Sequence, residues 1–302
     1  MVMGPPFPGA GASAAIRPDD FLQQAVLALD GGRPMDAERI AGEVLKANPN
    51  HARALYLVGS ALIMQDRAME AVRPLEAAAR GRHDAEFDTM LAIALRQVDR
   101  REDALSRLKL ATKRRPPYAP AFKEFGYLLV LMERYDEAVE VLNRGIEIAP
   151  MMPQLFIQLG YAHLSRRDCA NAKIAFARAL EISPRSQDAL FGMAKAHQEI
   201  GECGPATEYF RRSLQINPND QAAWLHLGHC LLELGQLDAG HNCFRTAARG
   251  DAKHYGNALT SFAAANRGRF WLKPSAAMRF LRGDNTSASA PGTDGDKRPS
   301  HV

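Results

Sequence analysis

His226 and His229 stand three residues apart, and a helix would turn both imidazoles to one face, as two ligands of a transition metal would be. No third ligand follows at helical spacing, and Cys230 points to another side of such a helix. The pair is therefore expected to be polar surface, with no metal bound. His163 and His197 are separated by 34 residues, as are Cys169 and Cys203. The histidines read as hydrogen-bonded packing residues rather than a catalytic pair. The cysteines read as small buried hydrophobes, because equivalent positions on neighbouring helices lie beyond disulfide reach. Gly9, Gly11 and Ala14 spell G-x-G-x-x-A, but no strand precedes them and Pro5, Pro6 and Pro8 surround them, so a dinucleotide loop is excluded. The chain has no G-x-x-x-x-G-K, G-x-S-x-G or H-E-x-x-H, and Arg282-Gly283-Asp284 is a chance triplet. Neither a catalytic residue nor a cofactor is expected.

The interval of 34 runs through the whole chain. Pro116, Pro150, Pro184 and Pro218 keep it, as do Ala104, Ala138, Ala172 and Ala206, with Leu108, Leu142, Phe176 and Phe210 four residues beyond each alanine. A fixed period of this length marks a repeat architecture, in which no unit can bury its apolar face alone and neighbours must stack. Pro49 precedes Pro116 by 67 residues, one short of two periods, and His83 takes the intermediate proline position. Units then begin at Pro18, Ala52, Ala85, Ala119, Pro153, Gln187 and Gln221. Each holds two apolar patterns of helical period around a short polar turn. The eighth place of every unit is Gly or Ala, and so is the twentieth. Small residues there let paired helices cross closely while larger neighbours fill the gap.

Composition agrees with a folded chain: 46% of residues are hydrophobic, and the net charge of +4 is too small to imply nucleic acid. Between Arg96 and Arg115 lie eight basic residues against Asp99, Glu102 and Asp103, which is expected to be a solvated helix face. No run approaches the roughly 20 apolar residues of a membrane span, and the first 17 residues lack the basic start and apolar stretch of a secretory signal. With four cysteines and no close pairing, a cytoplasmic location is expected.

These units resemble the tetratricopeptide repeat family, most closely in FGYLLVLMERYDEAVEVLNRGIEIAP (125–150), and the resemblance covers about residues 18–254. It implies an all-α, right-handed superhelical solenoid of about seven helix-turn-helix repeats. Capping helices are expected over 255–282, with Trp271 and Phe280 covering the last repeat, and disordered segments at 1–17 and 283–302. The first unit, with Gly31, Gly32 and Pro34 at its turn, and the seventh, which lacks the closing proline, are expected to be the irregular ones.

In that family the first helix of each repeat lines a concave groove. The corresponding places here hold Tyr56, Ile93, Tyr127, Ile157, Tyr161, Phe191, Lys195 and His229. Aromatic residues serve both cores and binding hot spots, so Tyr127 and Tyr161 either pack between helices or contact a partner. The groove asparagines of chaperone-binding relatives are absent, as is the asparagine ladder of glycosyltransferase relatives. The resemblance implies a non-catalytic scaffold docking a protein or peptide in the groove, with self-association left open and neither nucleic acid nor membrane as partner. The rival expectation is an accessory arm for a glycosyltransferase, sulfotransferase or oxygenase. The roughly 48 residues after the repeats are too few for such a domain, so that arm would act in trans.

Overall fold

A computed structural model describes residues 18–81 and 83–249. Among the described residues the chain is all helix, with two helices in succession for each of the seven sequence units, called pairs in that sense of chain order. They are α1 (Pro18–Asp30) with α2 (Pro34–Ala47), α3 (Ala52–Met64) with α4 (Ala68–Ala79), α5 (Ala85–Gln97) with α6 (Arg101–Ala111), and α7 (Ala119–Leu131) with α8 (Tyr135–Ile148). There follow α9 (Pro153–Ser165) with α10 (Cys169–Ile182), α11 (Gln187–Glu199) with α12 (Cys203–Ile216), and α13 (Gln221–Glu233) with α14 (Leu237–Ala247). Every first helix opens on the residue at which the sequence period places the start of a unit. The expected capping helices with Trp271 and Phe280, both terminal segments, and the Gly9 and Arg282 motifs lie outside the described residues.

Local chemistry explains the boundaries. Asp84, Asp168, Ser186 and Asp220 cap α5, α10, α11 and α13 by accepting a backbone N–H in the first turn. Pro34 and Pro153 open α2 and α9, where an N–H has no helical partner to lose. One left-handed residue follows each first helix, always at the fifteenth place: Gly32, Asp66, Asp99, Glu133, Arg167, Gly201 and Gly235, with φ between 58° and 78°. Glycine adopts this conformation freely, whereas the four non-glycine residues pay a steric penalty there.

The small residues do what the spacing requires. A Cβ on Gly59 would collide with Leu75, and one on Gly126 with Leu142, so each glycine admits the opposing leucine of its pair. Ala104, Ala138, Ala172 and Ala206 are fully buried. The twenty-fourth place carries the largest core side chains, with Leu75, Leu108 and Leu142 giving way to Phe176, Phe210 and Phe244. Burying one such side chain contributes about 1.5–3 kcal/mol, which is why stacking and not helix propensity holds the array.

Of the two pairs expected to be irregular, only the seventh is. The first is regular, with helices of 13 and 14 residues. The second and third are shortened: α4 has 12 residues with Pro74 inside it, and α6 has 11. The second is the unit where the sequence drops one residue and replaces a closing proline with His83; the third has the full 34 residues and follows it directly. The seventh is irregular as expected, since α14 also has 11 residues.

The chain divides into two compact units, the first ending at Arg167 and the second beginning at Asp168. Unit one holds α1 to α9 and unit two holds α10 to α14. In unit one each first helix touches the first helix of the next pair, from α1–α3 to α7–α9, while no two second helices approach to the same extent. The first helices therefore form the inner layer of this stack.

Candidate functional site

The inner layer of unit one is where side chains from several pairs converge. The fifth places Tyr56, Thr89 and Ile157 are buried in the helix packing, Tyr56 at 7% and Ile157 at 5% exposure, whereas Lys123 at the same place is half-buried. The ninth places stand nearer the surface, with Val26, Ile93, Tyr127 and Tyr161 all half-buried and only Ser60 buried. Of the groove residues expected in unit one, Ile93, Tyr127 and Tyr161 thus form the accessible row. Tyr56 and Ile157 lie beneath it.

Tyr56 shows why the fifth place packs. Its ring stacks on Phe87 of α5 with centroids 5.0 Å apart, and Arg53 lies 4.8 Å from its centroid. Arg53 also pairs with Glu86 at 2.7 Å, bridging α3 to α5. Burial, and then a hydrogen bond to the Glu86 carboxylate, hold the Tyr56 phenol well above its ordinary value. The Tyr118 phenol is raised as well, by burial and by the charges of Glu86 and Asp84.

Around Tyr127 a second cluster joins α5 to α7. The Arg96 guanidinium lies 4.8 Å from the Tyr127 ring centroid and 3.7 Å from Glu124, which Lys123 also reaches at 2.7 Å. Two cations thus surround one largely buried carboxylate, leaving net positive charge beside an aromatic ring. In the sequence Arg96 stands at the start of a basic stretch. Its relation to Tyr127 was legible as a twelfth place beside the ninth place of the next unit.

The rest of the basic stretch is mostly neutralised. Arg100 pairs with Asp103 and Glu76, and Arg101 with Asp99. Arg107 and Arg114 converge on Asp88, whose side chain is only 1% exposed. Arg114 further contacts His83 at 2.6 Å, and both line a cleft of about 310 Å³ with Asp84, Glu86, Arg115 and Tyr118. This supports a solvated, self-paired face.

In unit two, Phe191, Lys195 and His229 are half-buried. His226 stacks on Phe210 and meets Phe191 edge-on, with centroids 5.6 Å apart in both cases. Burial, then the charges of Lys195 and His229, push its pKa down to about 4, so the ring is neutral at neutral pH. No group of three metal-ligating side chains occurs among the described residues. His197 contacts Glu202 at 2.5 Å and stacks on Tyr209, as a packing histidine should. Cys169 and Cys203 are half-buried rather than buried, and all four cysteines are free. Among the described residues no helix is long and apolar enough to cross a membrane.

Comparison with known proteins agrees with this architecture. Tetratricopeptide repeat family models match residues 22–86 and 124–150. A model described as anaphase-promoting complex, cyclosome, subunit 3 matches 165–247. A curated relative, small glutamine-rich tetratricopeptide repeat-containing protein 2 of Mycosarcoma maydis, is 28% identical over 117 residues. The match covers 39% of this chain and 31% of that protein, so the chain spans about a third of its relative's length. Human IFIT1, solved as a dimer with m7Gppp-AAAA, superposes with a TM-score of 0.70 at 15% identity, covering 88% of this chain and 68% of that one. A tetratricopeptide repeat protein from Parabacteroides merdae gives 0.63 at 16% identity, covering 81% and 98%. At these identities the solved structures speak to fold alone.

Proposed function

The chain belongs to the tetratricopeptide repeat family, a fold of protein-interaction scaffolds, and on that premise we propose that it is non-catalytic and docks a segment of a partner protein on the inner layer of unit one. The observation that carries this reading is the row of half-buried ninth-place side chains, Ile93, Tyr127 and Tyr161, on three successive first helices. Apolar and aromatic side chains that are neither sealed in a core nor dispersed are the usual anchors of an interface. An extended segment advances about 3.3 Å per residue, so apolar side chains a few residues apart span neighbouring helices spaced about 10 Å.

The positive charge of Arg96 and Lys123 against the single Glu124 carboxylate favours a segment with an acidic residue beside its apolar anchors. In unit two we assign Phe191, Lys195 and His229 the same kind of contact. Tyr56 and Ile157 act from beneath, by fixing the spacing of the first helices.

Photo-crosslinking tests the face used. Peptides selected from a displayed library on the full chain are exposed to variants carrying a benzophenone side chain at Val130, on α7, or at Glu140, on α8. Crosslinking from position 130 and not from position 140 is expected. The reverse pattern rejects the inner layer as the docking face.

A further inference from the structure

Cys203 is the first residue of α12, half-buried and packed against the core cluster that contains Cys230 of α13. The packing of α12 on α13 thus brings Cys203 beside the cluster residue Cys230, near enough for it to perturb that thiol. Cys230 is fully buried, so Cys203 is the member of the pair that a small solute meets first. The repeat supplies an internal control. Cys169 occupies the same place one unit earlier, at the start of α10, but the residue one unit before Cys230 is the buried Ala196. Cys169 therefore has no thiol in the place where Cys203 has one.

We propose that Cys203 and Cys230 form an oxidative modification site, at which a hydroperoxide converts the two thiols to an internal disulfide joining α12 to α13. In the first step the Cys203 sulfur attacks the distal peroxide oxygen. The O–O bond breaks, and the sulfenic acid of Cys203 forms as the departing oxygen takes up the thiol proton to leave as water or an alcohol. In the second step the Cys230 sulfur displaces that hydroxyl, the S–S bond forms, and the Cys230 proton leaves with it as a second water. Each sulfur gives up one electron, and the peroxide takes both. Burial, followed by the neighbouring Cys203, pushes the Cys230 thiol up to about 12. Closure is therefore slow at neutral pH for a thiol–sulfenic acid condensation and accelerates as pH rises. The product would fasten the second helix of the sixth pair to the first helix of the seventh, restraining the stack that displays Phe191, Lys195 and His229.

The test treats the full chain with hydrogen peroxide, blocks remaining thiols under denaturing conditions with N-ethylmaleimide, and maps a non-reducing digest by mass spectrometry. The expected result is a linked peptide pair containing Cys203 and Cys230, lighter by two hydrogens than the separate peptides and absent after dithiothreitol. Cys169 and Cys243 should remain alkylated. In a Cys203→Ser variant, Cys230 should be alkylated in full after the same treatment. The proposal is overturned if Cys203 accumulates as sulfinic acid while Cys230 remains alkylated, or if the linked pair contains Cys169.

Discussion

The guanidinium of Arg96 covers the ring of Tyr127, 4.8 Å from its centroid, while standing 3.7 Å from Glu124. An aromatic ring on the inner layer is thus held on one side by a cation from the preceding first helix and presented on the other. Such a contact at a partly exposed site contributes about 0.5–1 kcal/mol. Replacing Arg96 by Gln should lower stability by about that amount, because Lys123 still neutralises Glu124. Thermal unfolding measures it, and a loss several times larger would mean that Arg96, not Lys123, is what makes the Glu124 carboxylate tolerable.

Asp88 and its two arginines provide a stronger test of magnitude. Arg114 donates two hydrogen bonds to one Asp88 oxygen, at 3.1 and 3.2 Å, whereas Arg107 reaches the other only at 3.5 Å. Removing Arg114 leaves a buried carboxylate with one distant partner, and breaking buried pairs in this way costs about 3–5 kcal/mol. Arg114→Ala should therefore fall near 3 kcal/mol in urea unfolding, with Arg107→Ala at about 1 kcal/mol or less. Equal losses would show that the two arginines share Asp88 evenly.

The left-handed turn residues give opposite signs at one repeat position. Glu133 has φ of 59° and Gly201 has φ of 78°, with open space around the Cβ that Gly201 lacks. Strain in this region costs a non-glycine residue about 1 kcal/mol. Glu133→Gly should be neutral to stabilising by up to about 1 kcal/mol, while Gly201→Ala should destabilise by about 1 kcal/mol. Chemical denaturation of the two variants compares them directly, and a destabilised Glu133→Gly would point to a side-chain role for Glu133.

Stability should also depend on His226. Burial, then Lys195 and His229, lower its pKa to about 4, and Asp220 opposes the shift weakly. Unfolded, the imidazole titrates near 6.5, so between these values the unfolded chain binds a proton that the folded chain does not. The resulting destabilisation sets in as pH falls below about 6.5, deepens towards pH 4, and totals up to roughly 3 kcal/mol. His226→Phe should retain the stack on Phe210 and lose less stability than wild type between pH 7 and pH 4.5. Urea midpoints at the two pH values check this, and parallel curves would contradict it.

Most of the fold was legible because repetition amplifies weak signals. One proline or alanine says little, but the same residue at the same place in successive units fixed helix starts at Ala52, Ala119 and Gln221 to the residue. The irregular second and third pairs were less legible. A missing residue near His83 was visible, but not that α4 and, in the complete unit after it, α6 would be short, because helix length follows packing against neighbours. The site was legible only as a row of places. Periodicity names Tyr56 and Tyr127 alike as inner-layer residues, and only the structure separates the buried Tyr56 from the half-buried Tyr127. The Cys203–Cys230 contact was hidden because the pair breaks the period, with thiols at two different repeat places.

The most direct test of the scaffold reading is the affinity of the double variant Tyr127→Ala/Tyr161→Ala for a peptide selected on the full chain, measured beside its melting temperature. If the ninth-place row is the docking surface, the double change should weaken binding by about 30-fold or more, equivalent to about 2 kcal/mol. Helical content and melting temperature should be nearly unchanged. Undiminished affinity in a stable double variant would contradict the proposed site, and parallel loss of stability and binding would show that the two rings pack the helices rather than meet a partner.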